Sequence, residues 1–435
     1  MKLSYKKTIL VGLAFMTIQA FWQLYDFKIP LILKNTFGVG DTLSGVIMAL
    51  DNVVALFLLP FLGALSDRTS TRIGRRKPYI LLGTAASIAI MMLIPYATHT
   101  RQLAVFIVAL GFLLISMATY RSPAVALMPD VTPKPLRSKG NAVINLMGAI
   151  GGAMILLVNS FFAKYTEDPE TANYWPIFLV TAGIMLIGTL ILNFTVNEPK
   201  LVKKMREDSA AAGIDPEEAK QDIKKIQVVK QPLPREVRNS MLLILASIFL
   251  WFMGYNAVTT AFSKYSVSYL LVPESTASIL NMVAVIAATI SFIPVGIIST
   301  RIGRKKSIMF GIVLLAVVFG TATLYTGYSP LMYVTLALAG VAWASINVNS
   351  LPMVLEMSKG SSVGKYTGYY YSASMAAQAV TPFLSGFLLE FVDYKTLFPY
   401  GAVFVGLAFF TMLAVKHGDS KPLKQSNLEA LGSGD

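Results

Sequence analysis

Apolar residues in this chain come in long blocks. They follow neither the alternation of a half-buried strand nor the heptads of a coiled coil. Twelve blocks can be read, at 9–34, 42–65, 78–97, 103–127, 141–164, 174–194, 240–268, 275–298, 307–327, 330–356, 364–390 and 396–415. A run of about 20 apolar residues crosses a bilayer as a helix, because hydrocarbon tolerates only a segment that satisfies its own backbone hydrogen bonds. Pro78 and Pro330 stand where helices should start, a position that needs no N–H. Pro60, Pro123, Pro294 and Pro352 fall inside blocks and predict kinks. One long polar stretch, 195–239, divides the blocks six and six. It contains KLVKKMREDSAAAGIDPEEAKQDIKKIQVVK, expected as a charged helix on the membrane surface. The pattern therefore predicts an all-α polytopic membrane protein. Residues 1–194 form one six-helix bundle, 195–239 a linker, 240–415 a second bundle and 416–435 a tail.

Six and six helices invite a search for a repeat. STRIGR occurs at 70–75 and again at 299–304, 229 residues on, each time between the second and third helix of its half. The same offset pairs Trp22 with Trp251, Pro123 with Pro352, Val125 with Val354 and Met128 with Met357. The halves then read as parallel copies related by an axis along the membrane normal, the plan of major facilitator transporters. In the repeated phrase a glycine supplies a tight turn. The arginines are placed to bond helix-end carbonyls and nearby carboxylates. Asp67, Arg72, Gly74 and Arg75 with Asp130 form one expected cytoplasmic gate. Arg301, Gly303 and Arg304 with Glu356 form the other. The second copy has Thr300 where the aspartate would stand, so its gate is expected to be the weaker. The plainer alternative is that both phrases only enforce topology.

Composition agrees with the blocks. The chain is 55% hydrophobic and 14% charged, against about 25% charged in a soluble chain, which leaves too little to cover a water-facing surface. The net charge of +14 is unevenly placed. Thirty Lys and Arg fall on the side of the termini, and six (Lys28, Lys34, Arg101, Lys164, Lys264 and Lys395) on the other, leaving Arg121 inside the membrane. That bias predicts cytoplasmic termini in a plasma (inner) membrane, with the positive charge facing anionic lipid rather than nucleic acid. The opening MKLSYKKTILVGLAF resembles a signal peptide, but its apolar run is too long and no small-residue cleavage site closes it, so it reads as a retained first helix. There is no cysteine. His99 and His417 lie at or beyond helix ends, so no metal centre, cofactor or enzymatic site is expected. No glycine-rich nucleotide loop is present either. A sensor would carry a larger soluble domain. A monomer is expected.

Charges and amides inside the blocks are the remaining candidates, since each is costly in hydrocarbon unless paired or hydrated. Gln19, Gln23 and Asp26 recur at helical spacing beside Trp22, giving the first helix a polar stripe. Asp51 and Asn52 lie on the second helix at a depth like that of Asp26. A carboxylate in such a place is the residue type that ion coupling uses, although Asp51 has a plainer reading as a helix–helix bond. Arg121 lies roughly 15 Å nearer the cytoplasm by helix rise, so direct pairing with Asp26 is not expected. In the second half Asn256, Asn347 and Gln378 can bond hydroxyl groups, and Trp22 and Trp251 offer ring faces.

The stretch GALSDRTSTRIGRRK at 63–77 resembles the major facilitator signature, with three extra residues before the second arginine. SDRTSTRIGRRKPYI is similar to the same loop in the sucrose–proton symporters of plants and their bacterial relatives. PAVALMPD at 123–130 and NAVINLMGAIG at 141–151 agree with that branch, and the Thr-Arg-x-Gly-x-x-Lys-Pro-aromatic spacing is shared with melibiose-type symporters. The resemblance implies the major facilitator fold, with two pseudo-symmetric bundles and alternating-access transport of a small sugar or glycoside. H⁺ is the expected coupling ion and Na⁺ the alternative. The aspartates of those carriers are replaced here by Leu114, Ala55 and Leu59, so coupling is expected at Asp26 or Asp51. The alternative is a major facilitator exporter of drugs or other amphiphiles, which would favour an apolar cavity.

Overall fold

The computed structural model describes residues 3–419 except 134, 135, 167, 169, 212–233 and 358–362. Within these, twelve helices are long and apolar enough to cross a membrane. In the first half they are α1 (Tyr5–Asn35), α2 (Asp41–Arg68), α3 (Lys77–His99), α4 (Leu103–Val131), α5 (Lys139–Tyr165) and α6 (Trp175–Thr195). In the second half they are α7 (Arg235–Tyr269), α8 (Glu274–Ile302), α9 (Arg304–Ala322), α10 (Leu331–Glu356), α11 (Tyr366–Phe391) and α12 (Tyr394–Ala414). Pro60, Pro123, Pro294 and Pro352 all lie inside helices. An even number of crossings puts both chain ends on one face, called here the terminal face; the other is the far face.

Each half has its own apolar core. Leu24, Phe106, Leu113 and Phe178 belong to one, Trp251, Ile312, Phe319 and Phe398 to the other. The halves pack mainly through three helix pairs, α1 with α7, α2 with α11 and α5 with α8. The approach of α2 to α11 is close enough to require glycine: a Cβ at Gly45 would overlap the Pro382 carbonyl.

A short helix, Glu198–Ala211, follows α6 on the terminal face. Its first residue is buried, and its carboxylate accepts the backbone N–H groups of Arg75 at 2.8 Å, Arg76 at 3.0 Å and Lys77 at 3.0 Å. These donors at the start of α3 have no partner within the helix, and a carboxylate there also meets the favourable end of the helix dipole. The second half repeats the device with another residue: Asp419, just after α12, accepts from the Lys305 N–H at the start of α9 at 2.8 Å. The rest of the charged linker, 212–233, and the tail from 420 on lie outside the described residues.

Candidate functional site

A cavity of about 350 Å³ opens between the halves at mid-helix. From the first half it is lined by Gln19, Trp22 and Asp26 of α1, Asp51 and Asn52 of α2, and Arg121 of α4. From the second it is lined by Phe252 and Asn256 of α7, Trp343 and Asn347 of α10, and Tyr370, Tyr371, Ser374 and Gln378 of α11. Of the ten binding residues expected from the sequence, Gln23 alone is not on this wall; its side chain points at Gly152 of α5. Helix geometry explains the split. At about 100° per residue, Gln19, Trp22 and Asp26 cluster on one line, and Gln23 falls some 60–70° away from its centre.

Charge enters the cavity from the first half only. Asp51 Oδ1 accepts from the backbone N–H and the side-chain amide of Asn52, both at 2.6 Å. Arg121 starts lower on α4, but its guanidinium reaches up to stand 5.5 Å from the centre of the Trp22 ring. That is a cation–π contact. Arg121 and Asp26 therefore share one cavity even though their backbones lie at different depths. The indole N–H of Trp22 is buried without a protein partner among the described residues. A buried donor left so is costly unless something else accepts from it.

The second half presents the same wall without charge. By the face each turns to the cavity, Phe252 and Asn256 answer Trp22 and Asp26, 230 residues on. Asn347 answers Arg121, and Glu356 answers Asp130, both 226 residues on. The constant offset of 229 thus holds at the repeated turn and drifts by a few residues in the helices. This corrects the pairing of Trp22 with Trp251. Trp251 is fully buried in the core of the second half. The tryptophan of that half that does reach the cavity is Trp343, stacked on Tyr255 with ring centres 3.6 Å apart and planes 3° from parallel. The sequence held a signal for it: Trp343 lies one turn before Asn347.

The far face carries charges that the sequence reading counted on that side of the membrane without assigning them partners. Lys28 of α1 is fully buried and bonds Glu274 of α8, with Thr166 2.7 Å from its Nζ. Glu274 also accepts from Asn159 at 3.1 Å and Thr166 at 3.0 Å. Lys264 of α7 pairs with Asp41 of α2 at 2.7 Å, and Asp41 further accepts from the Tyr394 hydroxyl at 2.5 Å. The two pairs are crossed: the lysine on the first helix of each half meets the acid that begins the second helix of the other. Both join the halves, so the far face is closed above the cavity.

The repeated turn makes the expected pairs, each inside one half. Arg75 pairs with Asp130 at 2.6 Å, and Arg304 with Glu356 at 2.7 Å, each within its own half. Gly74 and Gly303 have φ of +119° and +97°, backbone conformations open mainly to glycine. Arg72 and Arg301 are exposed. Asp67 bonds Arg76, a residue of the same turn outside the expected gate set; Arg76 is buried, also bonds Ser66, and meets Asp130 at 2.7 Å. These groups fasten the ends of α2, α3 and α4 to one another rather than one half to the other. In the second copy Asp419 takes the part of Glu198, accepting a backbone N–H, while Thr300 offers no carboxylate for the part of Asp67. Arg76→Ala is therefore expected to cost about 2–3 kcal/mol of stability, since Asp130 and the buried Ser66 lose a buried guanidinium that bonds both. Arg75→Ala should cost under about 1 kcal/mol, because its side chain is over one-third exposed. Thermal denaturation of the two purified variants checks the order; equal losses would mean that burial of Arg76 is not what matters.

Comparison with known proteins agrees with this architecture. The family model described as MFS/sugar transport protein matches residues 10–415. The sucrose transport protein SUC3 of Arabidopsis thaliana is 31% identical over 39% of this chain, and the match spans about a third (34%) of that relative's length. The isoprimeverose transporter of Lactiplantibacillus pentosus is 23% identical over 71% of the chain and 61% of its own length. The inward-open structure of the xylose transporter XylE from E. coli superposes with a TM-score of 0.67 at 16% identity, covering 96% of each chain.

Proposed function

The chain belongs to the MFS/sugar transport protein family, and on that premise we propose that it is a secondary active carrier of a small sugar or glycoside, driven by H⁺. The observation that carries this reading is the cavity between the halves, where two carboxylates and one guanidinium face a wall of amides and hydroxyls. Amides and carboxylates bond sugar hydroxyls, and an aromatic face packs on the ring. The relatives named as sucrose and isoprimeverose transporters support the same class of substrate. An exporter of amphiphiles calls for an apolar cavity, and the polar wall weighs against it.

The closure of one face supports transport by alternating access. With the far face shut by buried ion pairs between the halves, the terminal face is the side left for access to the cavity. The excess of Lys and Arg on the terminal side reads that side as cytoplasmic in a plasma membrane, which makes this an inward-facing state. Transport then requires the crossed pairs to part while the terminal face closes. Each copy holds a whole cavity, so a monomer suffices.

Proteoliposomes with imposed gradients test the proposal. An inward H⁺ gradient is expected to accelerate uptake of at least one labelled mono- or disaccharide severalfold, and a protonophore to remove the effect. Acceleration by Na⁺ alone would replace the coupling ion. Uptake of no sugar under either gradient would overturn the reading.

A further inference from the structure

We propose a second binding site, for an amphiphilic phosphate, in a groove beside the short helix that follows α6. The groove measures about 540 Å³ and is walled by the start of α1, the end of α4, the stretch leading into α5 and the helix Glu198–Ala211. It lies on the terminal face and shares no residue with the cavity between the halves. Its volume falls in the range of roughly 300–1,000 Å³ usual for small-molecule sites. The groove follows from how the helix is fastened. Glu198 is held by the N–H groups that open α3, and Leu201 packs against the core of the first half. Past that first turn, Lys204, Met205, Asp208 and Ala211 face the start of α1 across the groove.

The lining is sorted by polarity. Val11, Met128 and Leu136 are buried and give an apolar floor, with Met205 on the wall beside it. Lys7 of α1 and Lys204 of the short helix are exposed and line the groove from opposite walls. The helix also carries an ion pair of its own, Lys203 with Glu207 at 3.9 Å, on its exposed side. Lys204 and Asp208 are thus turned to the groove while their neighbours are turned to water. Two ammonium groups flanking an apolar floor call for a ligand with an apolar body and a compact anion. A phosphate has the charge and the several acceptor oxygens to bond both lysines at once. Asp208 lines the same groove one turn beyond Lys204 and opposes an anion, which suits one phosphate group rather than a polyphosphate. That chemistry has two sources, a lipid headgroup at the membrane surface or a soluble phosphate ester.

The test uses the full-length carrier in nanodiscs of phosphatidylcholine. The chain has no cysteine, so Met205→Cys reports on the groove through its rate of alkylation. Hexyl phosphate is expected to slow that rate saturably, by about tenfold at roughly ten times its dissociation constant, as mass action requires. Hexanol and inorganic phosphate, each half of the ligand, should slow it far less. Hexyl phosphate should also raise the thermal midpoint of the chain without the reporter. Lys7→Gln with Lys204→Gln changes two exposed positions and should weaken the protection about tenfold or more, the worth of charge-assisted bonds. Asp208→Asn should strengthen it severalfold, because an opposing charge is gone. Nanodiscs with phosphatidylglycerol added separate the sources. A rate already slow there, restored by the double lysine variant, assigns the site to a lipid headgroup; a rate unchanged there, with hexyl phosphate still protecting, assigns it to a soluble ester. Equal protection by hexanol or by inorganic phosphate would overturn the proposal, since one half of the ligand would then suffice. So would protection undiminished in the double lysine variant, weakened protection in Asp208→Asn, or no protection by any probe.

Discussion

Asp26→Asn is expected to abolish concentrative uptake while sparing exchange. The amide has nearly the shape of the carboxylate, so the cavity and its bound sugar should change little. What it cannot do is bind a proton on one side and release it on the other. Uptake driven by a gradient should fall to the level seen without one. Counterflow, which needs no net proton movement, should stay within about tenfold of wild type, the size of one lost polar contact. Asp51→Asn should do less. Asp51 already accepts two bonds from Asn52, whereas no donor among the described residues bonds Asp26. Asp26 also stands one turn from Trp22, over which the Arg121 guanidinium lies, so a change of its charge is felt by the cation in the same cavity. Parallel measurement of gradient-driven uptake and counterflow in both variants decides the matter. Retained accumulation in Asp26→Asn, with loss in Asp51→Asn, would exchange their roles. Retained accumulation in both would leave the carrier a uniporter, or coupled elsewhere.

The first half of this cavity was legible because one helix wrote it at helical spacing. Gln19, Trp22 and Asp26 share a face, and the period alone shows it. Gln23 was misplaced for the same reason, since i+4 drifts by about 40° and neighbouring packing chose the side. The repeat was legible at the turn, where positive-φ glycines tolerate no insertion, and blurred in the helices, where register can drift. That constant offset points to Trp251 and passes over Trp343. The helix count and the six-plus-six division survive because long apolar runs have few alternatives in a bilayer. The far-face ion pairs were not legible at all. Lys28 and Glu274 are 246 residues apart, and each alone looks like a charge near a helix end, where lysines reach water. Only the packing of one half on the other turns two such ends into a buried pair.

That packing makes Glu274 the most exacting position outside the cavity. Glu274→Gln takes from the fully buried Lys28 the carboxylate that bonds it, leaving Thr166, a neutral amide and the Tyr174 ring beside the ammonium. Breaking a buried pair on one side costs about 3–5 kcal/mol, because the stranded ion keeps its desolvation penalty. The fold has a way to avoid that cost: parting the halves at the far face returns Lys28 to water. Glu274→Gln should therefore shift the carrier toward the far-face-open state by a hundredfold or more, the factor that about 3 kcal/mol commands. The absence of native cysteine makes this readable with a single reporter, Thr260→Cys, on the cavity wall of α7. Its labelling by an impermeant thiol reagent from the far side should accelerate in Glu274→Gln. Adding Lys28→Met should slow the labelling again, since removing both charges leaves an apolar contact that costs little. Lys264→Met should act more weakly, because Asp41 keeps the Tyr394 hydroxyl at 2.5 Å and Lys34 at 3.6 Å. If Thr260→Cys labels equally fast with and without the Glu274 charge, these pairs do not hold the face shut, and closure rests on the α2–α11 contact at Gly45 instead. The order Glu274→Gln above Lys264→Met, with rescue by Lys28→Met, is what separates a gate made of ions from one made of packing.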